Sequence, residues 1–142
     1  MRYTFESVKA VTTVAPITAA AGAITGATVD TRGFGDAMAI VTVGVTSGTP
    51  DSFTVAAKLQ ESADDSSWAD ITGATITTVT AASKTAEINV ELAKKAASKR
   101  YIRAVVTPAF VGGTSPKIGV GAIVVLGNPE KGSKAANSVL GN

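Results

Sequence analysis

The chain has 142 residues, 45% of them hydrophobic but only 5% aromatic, with a formal charge of +2 and an isoelectric point near 9.0. It holds no histidine and no cysteine, which removes disulfides, thiolate chemistry, imidazole ligands and any Ser-His-Asp mechanism. One domain with a core of Val, Ile, Ala and Leu is expected, a mixture that favours strands, and so mild a positive charge does not by itself point to nucleic acid.

Residues 1–22 carry few bulky apolar side chains beyond Tyr3 and Phe5 and are rich in Ala, Thr and Pro. They read as an extended N-terminal arm with room for one short strand. Lys9 and the small residues Ala19 to Ala23 imitate a secretory leader, but Glu6, Thr12, Thr13 and Pro16 interrupt the apolar stretch, so no signal peptide is expected. No uninterrupted apolar run approaches the roughly 20 residues of a membrane-spanning helix.

Ile24–Asp30 is the first strand signal. The loop Asp30-Thr31-Arg32-Gly33-Phe34-Gly35-Asp36 follows, with glycines on both sides of Phe34. It matches neither GxGxxG nor GxxxxGK[ST]. Phe34 reads as a plug at the end of a sandwich. With Arg32 it is also a candidate contact for a partner, since such side chains anchor interfaces. Asp36–Val45 is nearly all apolar and is expected to be a central strand buried on both faces. Gly48-Thr49-Pro50-Asp51 is a turn.

Phe53, Val55, Ala57 and Leu59 alternate with Thr54, Ala56, Lys58 and Gln60, the pattern of a strand with one buried face. Ala63 to Ser67 is turn-forming, and Trp68 opens a second short run. This is a hairpin whose tryptophan is expected to pack in the core. Ile76–Val79 and Ala86–Leu92 are the next strands, although Glu91–Ala97 is rich enough in helix formers to close as one helical turn. Arg100–Thr107 is a strand that Pro108 is expected to end, and Lys117–Leu126 is the last. Residues 128–142 are small and polar and read as a C-terminal arm around a central domain over 23–127. Such arms order only when something holds them, and a neighbouring subunit is the expected support.

Seven or eight short strands without βαβ alternation predict an all-β fold, a single jelly-roll-like antiparallel β-sandwich with extended N- and C-terminal arms. Ile24-Thr25-Gly26-Ala27-Thr28-Val29 echoes Ile71-Thr72-Gly73-Ala74-Thr75-Ile76, which reads as shared strand-edge chemistry with each glycine at a bend or bulge.

The carboxylates of Glu61, Asp64, Asp65 and Asp70 match no calcium-loop spacing and read as turn chemistry. Nothing marks them as a glycosidase pair. Lys94, Lys95, Lys99, Arg100 and Arg103 form a basic stretch around Tyr101. Basic residues interleaved with an aromatic can hold single-stranded nucleic acid, but the simpler reading is a solvated loop and a strand face that meets a protein. Serine precedes lysine at Ser83-Lys84, Ser98-Lys99 and Ser133-Lys134, and adjacent residues on a strand point apart, so no Ser-Lys dyad is expected. No catalytic residue, metal or cofactor is assigned. The candidate partner contacts are Tyr3, Phe5, Arg32, Phe34, Lys94, Lys95, Lys99 and Arg100.

Four segments in this order resemble the capsid cement, or decoration, proteins of tailed phages. They are Asp30–Ala37, then Gln60-Glu61-Ser62 through Trp68-Ala69-Asp70-Ile71, then Lys99–Val106, then Ala122–Pro129. Where such hairpins often carry Asp-Gly, this chain has Asp64-Asp65, and aspartate tolerates the left-handed conformation required. The resemblance implies a jelly-roll virion protein on the outer surface of an icosahedral head. It would bind the major capsid protein and pair as a homodimer at two-fold positions. The residue content separately argues against an enzyme, a membrane contact and a nucleic-acid partner. Removing residues 1–22 is then expected to leave the domain folded and weaken head binding. The rival readings are a tail or fibre module that binds carbohydrate, and a nucleic-acid module centred on Lys94–Arg103.

Overall fold

A computed structural model describes residues 4–92 and 99–129. One helical turn, α1 (Thr4–Ser7), precedes nine strands: β1 (Lys9–Ala19), β2 (Ile24–Thr25), β3 (Val29–Asp30), β4 (Phe34–Ser47), β5 (Ser52–Ser62), β6 (Ala69–Thr75), β7 (Lys84–Glu91), β8 (Tyr101–Val111) and β9 (Lys117–Pro129). All ladders are antiparallel. One sheet has the order β1-β9-β4-β7, the other β2-β8-β5-β6, with β3 also on β8. Taken as one interrupted strand, β2 and β3 complete a set of eight. The innermost hairpin is β5–β6, and β4–β7, β2/β3–β8 and β1–β9 nest outside it. Folded into two sheets, this is the jelly roll.

Alternation builds the core. On β4, Ala37, Ala39, Val41 and Val43 are buried while the residues between them are half-buried or exposed. Facing them from the second sheet are Val55, Ala57 and Leu59 of β5 and Ile102, Ala104 and Val106 of β8. The β4 segment is therefore buried on one face, not on both as its composition suggested. A sandwich covers only the inner face of each sheet.

Four further expectations change. Residues 9–19, assigned to the N-terminal arm, form an edge strand paired with β9 from Lys9↔Leu126 to Ala19↔Ile118. Their alternation is obscured by register shifts near Thr13 and Pro16, which offset the apolar positions. Ile24–Asp30 is two short strands. Between them lies Gly26, where an added Cβ would come within 2.8 Å of the Ala104 carbonyl oxygen. Ile76–Val79 is not a strand and runs beside β5 on the bonds Ile76 N–H to Ala57 O and Val55↔Val79. Strand β8 continues through Pro108 to Val111. Gly22 N–H donates to the Pro108 carbonyl. A residue's N and O point the same way in a strand, so the missing N–H of Pro108 lies on the side away from β5 and the β5–β8 ladder loses nothing.

The echoed glycines both sit at breaks. Gly26 separates β2 from β3, and Gly73, at φ 79°, lies in the bulge where Asp70 to Thr75 opposes Gln60 to Lys58. Asp65 adopts φ 60° at the hairpin tip, the left-handed geometry that an Asp-Gly turn would supply. Residues 93–97 of the alternative helical turn, and residues 130–142 of the C-terminal arm, lie outside the described residues.

Candidate partner-binding surface

The loops before β4 and β8 are joined at one end of the sandwich. The Asp30 carboxylate accepts hydrogen bonds from the backbone N–H of Arg32 at 3.0 Å and from Arg100 Nε at 3.1 Å, and forms an ion pair with the Arg100 guanidinium. Thr31 donates both its N–H, at 2.9 Å, and its hydroxyl, at 2.6 Å, to the Arg100 carbonyl oxygen. The Arg100 guanidinium stands 5.0 Å from the centre of the Tyr101 ring, within cation–π range. The Arg100 bond holds the Asp30 carboxyl below its ordinary range and Asp30 raises Arg100 in turn.

Among the expected contacts, Arg32 is exposed, Lys99 and Arg100 are half-buried, and Phe34 is buried. Phe34 opens β4 opposite Pro129 and belongs to the core; its ring closes the sandwich end and is not offered to a partner. Tyr3, Lys94 and Lys95 lie outside the described residues, as does the side chain of Phe5. Asp30 was not singled out by sequence reasoning, although Asp30-Thr31-Arg32 carries the signal of an aspartate that caps the N–H two residues ahead.

The four segments that resemble cement proteins converge on this same end. Asp30 pairs with Tyr101, Ser62 also pairs with Tyr101, and Phe34 pairs with Pro129. The Thr28 hydroxyl donates to Asp65 at the hairpin tip at 2.5 Å.

The hairpin's carboxylates do not converge. Asp64 accepts from the Ser67 and Ser66 N–H groups and from the Ser62 hydroxyl, which push its carboxyl far below the usual range. Asp70 bonds Lys58 at 2.8 Å and Gln60 at 2.9 Å, and is lowered by them. Among the described residues no cluster of three or more acidic side chains could hold a metal ion.

Trp68 is not in the core. It is half-buried on the outer face of the second sheet, with the Arg103 guanidinium 4.1 Å from its ring centre. Arg103 Nε in turn donates to Gln60 at 2.9 Å, so a polar network runs from Trp68 to Lys58. Trp68 and Arg103 are far apart in sequence, so this contact could not be read from either segment alone.

An open cavity of about 660 Å³ lies beside β6 and β7 and is lined by Val8, Met38, Ile71, Gly73, Val90 and Val125 among others. Asp36 and Glu91 sit opposite each other across the β4–β7 ladder at its rim. Ser83 and Lys84 are both exposed, whereas Ser98 and the Ser133-Lys134 pair lie outside the described residues. No helix in the described residues is long and apolar enough to cross a membrane.

No protein family and no curated protein matches the chain. Several solved structures are similar. A chain of the Bacillus endospore appendages, a family of disulfide-linked pili, has 14% identity over 87% of this chain and 90% of its own, with a TM-score of 0.41. The SPBc2 prophage-derived protein YomS has 13% identity over 83% of this chain and 92% of its own, at 0.38. A chain of Desmodium yellow mottle tymovirus has 10% identity over 89% of this chain and 82% of its own, at 0.37. Likeness of this degree carries no argument about function.

Proposed function

We propose that the chain is a non-enzymatic structural protein of a tailed-phage particle, a cement protein that binds the outer surface of the icosahedral head, bridges major capsid proteins and pairs with itself at two-fold positions. The observation that carries this reading is the convergence of the four cement-like segments on one end of the sandwich, where Asp30 and Thr31 lock to Arg100 and leave Arg32 exposed. Residues far apart in sequence that meet on one surface suit recognition of a partner. A rigid sandwich with its loops at one end is a common way to present them. A binder that prefers the expanded shell stabilises it by mass action, and many copies add avidity without strong single contacts.

The test uses purified expanded heads lacking the protein. Wild-type protein should bind them and raise the temperature at which they release DNA. Arg32→Glu, a change at an exposed side chain, should keep the thermal unfolding profile and weaken binding about tenfold. Heads that bind neither protein would overturn the reading. So would a specific glycan ligand, or salt-dependent DNA affinity abolished by Lys94→Ala and Lys95→Ala together.

A further inference from the structure

The outer face of the β1-β9-β4-β7 sheet is divided in a way that fits itself. Inward positions on β4 and β9 are buried, so Met38, Ile40, Ile123 and Val125 point outward on one half, paired as Met38↔Val125 and Ile40↔Ile123. Ile123 is 37% exposed. On the other half the backbone is bared along one strip. Thr42 pairs with Gly121, and Gly44 lies against Gly119. Gly44 and Gly119 floor an open groove of about 390 Å³ with Ile17 at its side, 50% exposed, and Val45 next along β4, 68% exposed.

We infer that this face is the surface on which a second copy of the chain packs. A two-fold axis in the plane of the interface, perpendicular to the strands, passes between the Ile40–Ile123 and Thr42–Gly121 pairs. It lays Met38 and Val125 of one copy on the Gly44–Gly119 groove of the other, and the reverse, as an isologous contact demands. The strands of the two sheets stay aligned, the ordinary mode of face-to-face packing. Charge agrees. One end of the face carries Asp36 opposite Glu91, and the far end carries Lys117 opposite Ser47. The axis brings acidic end to basic end. Lys9 stands at the acidic end too, but on β1, two strands from Asp36. Strands of 8 to 14 residues in a four-stranded sheet give a face of roughly 750 Å², about one side of a standard interface. The outward positions of β4 and β9 between Asp36 and Lys117 hold no charge, while Glu87 and Asn89 of β7 supply a polar rim.

The inference gives a surface to the self-pairing proposed above and rests on that reading only in this respect. The experiment is sedimentation and light scattering of the purified full chain over a concentration series. Wild type should be dimeric. Gly119→Val adds a Cβ whose nearest neighbour would be Gly44 Cα at 3.9 Å, so the fold accepts it while the groove is filled. It should weaken dimerisation by about tenfold or more. Ile123→Ser, which removes a projecting side chain at a partly exposed site, should do the same and decides the matter if Gly119→Val fails to fold. The chain has no cysteine, so single cysteines report geometry. Thr42→Cys, near the axis, should cross-link efficiently with a short bismaleimide, and Ala56→Cys on the opposite sheet should not. Monomeric wild type, unchanged dimerisation in correctly folded variants, or cross-linking at Ala56→Cys instead would overturn the inference. A dimer through this face that fails to bind heads would sink the capsid reading alone.

Discussion

Thr13 shows how one side chain can hold two sheets in register. It is 3% exposed on β1, donates its hydroxyl to Ala27 O at 2.8 Å and accepts the Ala104 N–H at 3.1 Å. Its backbone carbonyl accepts the Ala27 N–H. It therefore fills the gap in the β8 ladder where β2 and β3 part. Thr13→Val keeps the shape but orphans the buried Ala104 N–H, so a loss of about 2–3 kcal/mol is expected in urea unfolding. Thr12→Val, on the exposed neighbour, should stay within about 0.5 kcal/mol of wild type. Asp30 acts more weakly because its side chain is 44% exposed. Its carboxyl is lowered below 3.8 in the folded state by Arg100. A depressed carboxylate stabilises above its unfolded value and loses that contribution as pH falls through its folded value. Asp30→Asn should thus lower Tm by a few degrees at neutral pH, and the gap to wild type should close on acidification below 3.8. A gap that persists undiminished in acid would show that the pair contributes nothing through charge.

At the scale of elements, β1 changes what truncation should do. An arm can be removed, but a strand paired with β9 over most of its length cannot, because its loss exposes the β9 edge and takes the buried side chains of Val14 and Ala19 out of the core. Deleting residues 1–8 should leave a cooperative melt in circular dichroism. Deleting residues 1–19 should abolish it or drive the protein into aggregates, through an uncovered edge strand. A cooperative, soluble product of the longer deletion would return β1 to the status of an arm. The strands that alternate cleanly, β4, β5 and β7, are ones whose positions were legible in advance, within a residue or two at each end. Strand β1 was not, because bulges shift its apolar residues off the alternation. Ile76–Val79 misled in the opposite direction, since β-branched residues favour an extended chain whether or not a full ladder forms.

The whole molecule explains the remaining gap between sequence and structure. Strand count, turn spacing and the absence of βαβ units were enough for a sandwich, yet which strands meet is a long-range fact. The candidate surface follows the same rule. Arg32 and Arg100 were visible as residues, but their common end of the sandwich depends on Asp30 meeting Tyr101 across the chain. The nested order also makes a kinetic prediction. Among the described strands only β5–β6 closes a short loop, around the Asp64 turn, and each pair outside it encloses the last. The outermost pair, β1–β9, joins Lys9 to Leu126 and so closes nearly the whole chain. Topologies dominated by such non-local pairs fold on the millisecond-to-second scale. Loop-closure entropy favours the hairpin forming early and β1 docking late. In stopped-flow unfolding and refolding, Asp64→Ala should therefore act chiefly by slowing folding. Val14→Ala, which removes buried bulk from β1, should act chiefly by speeding unfolding. If Val14→Ala instead slowed folding while Asp64→Ala left it unchanged, the terminal strands would be the nucleus and the nested order would not be the order of assembly.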